Sequence, residues 1–266
     1  MAKVEVLTSS ANPMLKDVRR AILRGGLTED GYLVAETFHL LEEALRSDRE
    51  VKVVLAAAKV RAAVEAHVRR LSGVRFAVVD DGLFLKLAAT ESSQGVIALV
   101  RPPEWTIEQL FRGRSLVVVL DGLQDPGNAG AIARCAEAFG ATGLLFTKGA
   151  VSPYNPKALR AAAGSLFRIP FVHGVDPTLA RAALRQNKLD VYAAAPYAPG
   201  RKTPADADLT RKCAFVIGSE SHGVSVPLRT GAFDLSVPTI GVESLNAAVA
   251  AGILLYEARR QRVLKP

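Results

Sequence analysis

Cysteine is scarce in this chain, with only Cys135 and Cys213 among 266 residues. Two cysteines make neither a disulfide framework nor a metal cage, so no metal is expected. The reducing cytoplasm is the expected compartment. Long apolar runs are also missing. The longest, residues 247–256, falls far short of the roughly 20 residues that a membrane span needs, so no membrane partner is expected. Lys3 and Glu5 stand where a secretory signal would be apolar, and none is expected. No G-x-G-x-x-G occurs, which excludes the dinucleotide fingerprint. Neither Ser219 nor Ser221 has the flanking glycines of a nucleophile elbow. Repeats and low-complexity tracts are absent. What is abundant is positive charge: 34 Lys and Arg against 26 Asp and Glu give a net +8. Such an excess points to a polyanionic partner, most often nucleic acid. Apolar residues make up 49% and charged ones 23%, an ordinary globular balance with ample material for a core.

Composition shifts at Arg101-Pro102-Pro103, because paired prolines fit neither a helix interior nor a central strand. Residues 1–101 are expected to form a basic arm and a small domain, 102–114 a linker, and 115–266 a second domain. Within the first, residues 9–26 read as a basic helical arm carrying Lys16, Arg19, Arg20 and Arg24. Apolar spacing predicts helices over 35–46 and 59–71, and β-branched runs predict strands over 51–56, 75–79 and 95–100. Beyond the linker, residues 116–120 form a continuous apolar run of the kind buried in a parallel sheet. Helices are predicted over 128–139, 156–166, 177–186 and 244–262, and strands over 143–146, 190–194, 214–217 and 234–237. The alternation argues an α/β domain with a parallel sheet. The last helix is nearly all apolar over 247–256, so it is expected to be buried, and its alanines and Gly252 permit close packing against the sheet or another subunit.

Three loops of this second domain carry unusual chemistry. The first, residues 121–134, holds Gly122, Gly127 and Gly130, with Asn128 placed to cap a helix and Arg134 about two turns in. Taken alone it is equally well an ordinary strand-to-helix turn. The second, Gly218-Ser-Glu-Ser-His-Gly223, sets Glu220 between glycines directly after an apolar strand, which suits a site better than a core. The third, residues 237–246, ends on Ser244-Leu-Asn246, where Ser244 is a plausible helix cap.

Together these loops resemble the three motifs of the SpoU (TrmH-type) family of RNA ribose 2′-O-methyltransferases, in the SPOUT superfamily. Asp125-Pro-Gly-Asn-x-Gly-Ala-Ile-x-Arg134 is similar to the first motif and Gly218-Ser-Glu-x-x-Gly223 to the second. Pro238, Gly241, Ser244-Leu-Asn246 and Gly252-Ile-Leu-Leu-Tyr-Glu257 are similar to the third. Glu36 and Gln94-Gly95 stand where signatures of the family's small substrate-binding domain fall. Thr37 departs from a usual glycine, Cys135 from a common threonine and Ala162 from a common serine.

The resemblance implies an α/β fold whose parallel-sheet C-terminal domain is tied in a deep trefoil knot. It also implies a small N-terminal α/β RNA-binding domain shaped like a ribosomal protein. S-adenosyl-L-methionine is implied as cofactor, held around Gly218, Val237, Ile240 and Leu245. Arg134 is implied as the catalytic arginine. Because a guanidinium stays protonated at neutral pH, it reads better as a phosphate fork than as a base. Glu220 would orient Arg134 or Asn128, while Ser244 and Asn246 would hold the ribose and the loop. A homodimer is implied, with the site at the subunit interface. Ribosomal or transfer RNA would lie on Arg19, Arg20, Lys157, Arg160 and Arg168. The alternatives are a catalytically inactive RNA-binding relative on the ribosome and a base methyltransferase on the same fold.

Overall fold

A computed structural model of the chain describes residues 5–68, 73–88 and 93–264. The N-terminal elements are β1 (Glu5–Leu7), α1 (Pro13–Arg24), β2 (Leu33–Glu36), α2 (Phe38–Arg46), β3 (Val51–Ala57), α3 (Arg61–Val68), β4 (Arg75–Val79), α4 (Asp81–Leu87) and β5 (Val96–Val100). There follow β6 (Leu116–Asp121), α5 (Pro126–Ala138), β7 (Gly143–Thr147), α6 (Pro156–Ala162), β8 (Phe171–Val175) and α7 (Pro177–Gln186). The chain continues with β9 (Asp190–Ala194), β10 (Cys213–Gly218), α8 (Val226–Arg229), β11 (Phe233–Leu235) and α9 (Ala247–Leu264). These elements make two compact units. One comprises the residues up to Glu104 together with Tyr154–Arg168; the other comprises Trp105–Pro153 and the residues from Ile169 onward.

The first unit is built on a five-stranded sheet in the order β1-β4-β3-β5-β2. β1, β4 and β3 run parallel, whereas β5 is antiparallel to β3 and β2. The expected basic arm is in fact a packed helix. Asn12 caps α1, Gly25 ends it in the left-handed conformation, and Leu15, Val18 and Ala21 are buried in the core. The helix expected over 156–166 stops at Ala162, because Ala163 and Gly164 both take positive φ. Gly164 lies so close to α2 that a Cβ there would come within 2.7 Å of the Glu43 Cβ. The helix expected over 59–71 is α3 preceded by a 3-10 turn, and the end of that range lies outside the described residues.

The second unit is an α/β layer on a six-stranded sheet, β11-β9-β10-β6-β7-β8, with all its pairings parallel. Residues 116–120 are fully buried, as a central parallel strand requires. Part of the expected linker packs here too. Leu110 is buried in a 3-10 turn and its carbonyl accepts from Thr142 Oγ1 at 2.6 Å. The chain runs from β6 outward through β7 and β8, then returns to place β10 on the other side of β6. This reversal of order between β6 and β10 is the position where open parallel sheets bind ligands. α9 packs on α5, with Phe139 and Tyr256 edge to face at 5.8 Å. Within the chain its burial is one-sided. Ala251, Leu254, Leu255 and Ala258 are buried, while Val249, Ile253 and Tyr256 are exposed.

Candidate functional site

A cavity of about 630 Å3 lies at the carboxyl ends of β9, β10 and β11. Its wall takes in Ala194–Tyr197 after β9, Ile217–Gly223 at the end of β10, Val237 and Thr239 after β11, and Ser244–Ala247 at the start of α9. The wall closes tightly behind Gly218. A Cβ at that position would come within 2.1 Å of the Gly223 backbone, so only glycine lets the loop fold back on its strand. Ser219 and Gly223 then exchange backbone hydrogen bonds at 3.1 and 2.9 Å, and Glu220 is held at the exposed tip.

Three residues from three loops join in one hydrogen-bonded chain. Asn128 Nδ2 donates to Glu220 Oε1 at 2.8 Å, and Asn246 Nδ2 donates to Asn128 Oδ1 at 2.9 Å. This works because the helix caps differ from those expected. Asp125, not Asn128, caps α5, accepting from the Asn128 backbone at 2.6 Å, and this leaves the Asn128 side chain available. Asn246, not Ser244, caps α9, accepting from the Ala248 and Val249 amides at 2.9 and 3.2 Å. The Asn246 carbonyl oxygen is thus fixed by the helix start, and its amide faces Asn128.

Of the remaining expected site residues, Gly218, Val237, Ser244 and Leu245 line the cavity, as do Glu220 and Asn246. Ile240 does not; it is fully exposed outside the wall. Arg134 is exposed on α5 and is likewise absent from the wall. The expected RNA-facing cations divide. Arg19 and Lys157 are exposed, whereas Arg20 is paired with Glu29. Arg160 Nη1 lies 2.8 Å from Oε2 of the buried Glu36, and Arg168 Nη1 lies 2.5 Å from Oε2 of the buried Glu43. Burial raises the Glu43 carboxyl, but Arg168, through its hydrogen bond and charge, and Arg46 outweigh this and hold it below its ordinary value. Arg160 and Arg168 are therefore committed to glutamates of their own unit, which sequence spacing does not reveal.

Sequence reasoning missed Asp121. It is buried at the end of β6 and accepts from the Ser225 amide at 2.7 Å and from Thr147 Oγ1 at 3.2 Å. It ties the strand ends of β6 and β7 to the far side of the Glu220 loop. The available signal was a carboxylate closing an otherwise apolar strand. Among the described residues no group of His, Cys, Asp and Glu is placed to hold a metal, and no helix is long and apolar enough to cross a membrane.

A parallel α/β sheet with three loops converging at its order reversal defines a ligand-binding domain of the wound type, here attached to a second, basic unit. Residues 115–256 match the model of the SpoU rRNA Methylase family, and residues 12–98 match the MRM3-like substrate binding domain. The chain belongs to the SpoU rRNA methylase family. It is 34% identical to an uncharacterized tRNA/rRNA methyltransferase of Synechocystis sp., over 96% of this chain and 94% of the relative. It is 32% identical to the 23S rRNA (guanosine(2553)-2′-O)-methyltransferase RlmP of Bacillus subtilis, over 95% of this chain and 98% of the relative. Among solved structures it is similar to the SpoU methyltransferase AviRb of Streptomyces viridochromogenes in complex with AdoMet. There the TM-score is 0.83 at 26% identity, covering 95% of this chain and all of that one.

Proposed function

We propose that this chain transfers a methyl group from S-adenosylmethionine to a ribose 2′-hydroxyl of ribosomal RNA, as a homodimer in the cytoplasm. The observation that carries the proposal is the hydrogen-bonded chain Glu220–Asn128–Asn246, which joins all three motif loops at the rim of one cavity. The cavity fits the cofactor. Its volume lies within the about 300–1,000 Å3 of ligand pockets, and Ile217, Val237, Leu245 and Leu254 give it apolar walls for a base. Gly218, Val237 and Leu245 are the residues that would hold S-adenosylmethionine, with loop backbone meeting the adenine edge. The bound cofactor supplies a methyl made electrophilic by its sulfonium.

The protein's own task is to place the hydroxyl and manage its proton. Arg134, permanently charged, fixes an RNA phosphate with its planar fork and orients the ribose. The proton passes to that phosphate or to water. Glu220 orients Asn128, and Ser244 and Asn246 keep the ribose and the third loop in register. Because Arg134 is exposed outside its own chain's cavity, a site at a subunit interface suits it. The apolar stripe Val249, Ile253 and Tyr256 on α9 is the pairing surface of the dimer. The deep trefoil knot belongs to the same reading, supported by the two C-terminal loops that share one cavity. All four of Asn128, Arg134, Glu220 and Asn246 are present, so an inactive relative gains no support.

Mapping 2′-O-methyl groups in ribosomal and transfer RNA, from cells with and without this protein, tests the proposal. A ribosomal RNA methyl lost with the protein supports it, and identical maps contradict it.

A further inference from the structure

The first unit has a hollow of its own. A cleft of about 400 Å3 lies between α1, the end of α4 and the start of α6. Arg19, Lys86, Lys157 and Arg160 line it, and no acidic side chain does so among the described residues. Arg160 is engaged by the buried Glu36 and forms a fixed wall. Arg19, Lys86 and Lys157 are exposed and belong to no ion pair among the described residues. Cations gathered in one concavity raise its local potential and concentrate anions there.

Apart from Asn155 the rest of the wall is apolar. Ile22, Leu23, Leu87 and Pro156 contribute to it, and Leu23 is 77% exposed although it sits among cations on the polar side of α1. An open leucine beside unpaired cations does nothing for the core, but it suits a ligand with a charged part and a flat apolar part. The frame is stiff. Asn155 caps α6 and lies so close to α1 that a Cβ on Gly25 would come within 2.5 Å of its side chain. The volume sits at the low end of ligand pockets, room for one base with its phosphate and too little for a duplex.

We propose that this cleft seats one unpaired nucleotide of the RNA. Arg19, Lys86 and Lys157 take its flanking phosphates, and its base lies against Ile22, Leu23 and Leu87. Phosphate contacts position a strand without reading its sequence, and proteins that select RNA sequence mostly bind bases splayed out of single strands. The inference rests on the methyltransferase reading above and specifies where the first unit holds the substrate.

The full-length chain is titrated into a labelled single-stranded RNA dodecamer, a hairpin duplex and uridine monophosphate, across a salt series. Arg19→Gln and Lys157→Gln should each weaken dodecamer binding and reduce the slope of log affinity against log salt by about 0.7, one phosphate contact apiece. Leu23→Ser should weaken binding with the slope unchanged. With a dodecamer of abasic residues, Leu23→Ser and the unaltered chain should bind alike. Unchanged slopes in both charge variants, equal losses on duplex and single strand, or no dodecamer binding would overturn the cleft. Uridine monophosphate binding as tightly as the dodecamer would also overturn it, by making this a free-nucleotide site. The functional reading fails separately: a chain with the expected slopes that methylates no RNA keeps the cleft and loses the activity.

Discussion

The C-terminal cavity and the N-terminal cleft are lined by different materials. Loops at strand ends make most of the cavity wall, completed by Arg229 of α8 and the first turns of α9, with backbone, small side chains and few charges, among them Glu220 and Arg229. Helices wall the cleft, and four of its side chains are cationic. A loop wall can follow the outline of a compact cofactor and offer backbone groups to its edges, which selects by shape. A helical wall fixes charges at set spacings, which suits a repeating polyanion. Cofactor affinity and RNA affinity should therefore be separable by mutation.

The largest expected effect shows that the cleft's cations are not equivalent. Arg160→Ala removes one side of a mostly buried ion pair, the guanidinium 2.8 Å from the Glu36 carboxylate, and should destabilise the protein by up to about 3–5 kcal/mol, measured by urea unfolding. Lys157→Ala, on an exposed side chain without an ion pair, should stay within about 0.5 kcal/mol. Equal losses would erase the distinction drawn within the cleft.

Next in size is Arg134, which should affect catalysis without touching the cavity. Loss of a preorganised charged donor costs about 2.7–4 kcal/mol of barrier, so Arg134→Ala should slow single-turnover methylation by about 100- to 1,000-fold. Calorimetric affinity for S-adenosylhomocysteine should remain. Arg134→Lys should also be slow, because a point charge does not replace a planar fork. An unaltered rate in Arg134→Ala would remove this residue from the mechanism.

The smallest effect is one of strain beside the cleft unit's buried ion pair. Thr37 follows Glu36 with φ 136°, a conformation that costs a β-branched residue about 1–3 kcal/mol. Its hydroxyl offsets part of this by capping α2 at the Leu40 amide, 3.1 Å away. Replacing such a cap by glycine costs only a few tenths of a kcal/mol. Thr37→Gly should therefore stabilise the chain by about 1 kcal/mol in thermal unfolding.

Legibility followed the range of the interactions. The runs that became β6, β9 and β10 were plain because the buried stretch of a parallel strand is apolar, even where Asp121 closes β6 and Asp190 opens β9. β8 was missed because His173 and Gly174 interrupt its run. The three loops were legible from local spacing, yet what they do together was not. Glu220 and Asn246 meet Asn128 across 92 and 118 residues of chain. The same holds for Arg160 and Arg168, which read as open cations until Glu36 and Glu43, 124 and 125 residues away, engage them. α9 is the opposite case: its alanine-rich run is apolar all round, and the chain itself covers only one side.

The most direct test of the central claim is the position of the transferred methyl. The purified protein is incubated with ribosomal RNA and S-adenosylmethionine carrying a tritiated methyl, and the RNA is then hydrolysed in alkali. Alkali cuts RNA through attack of the 2′-oxygen on the adjacent phosphate, so a methyl on that oxygen protects the linkage. The account predicts tritium in alkali-stable dinucleotides. Tritium in mononucleotides, which marks a methylated base, or no transfer at all would contradict it.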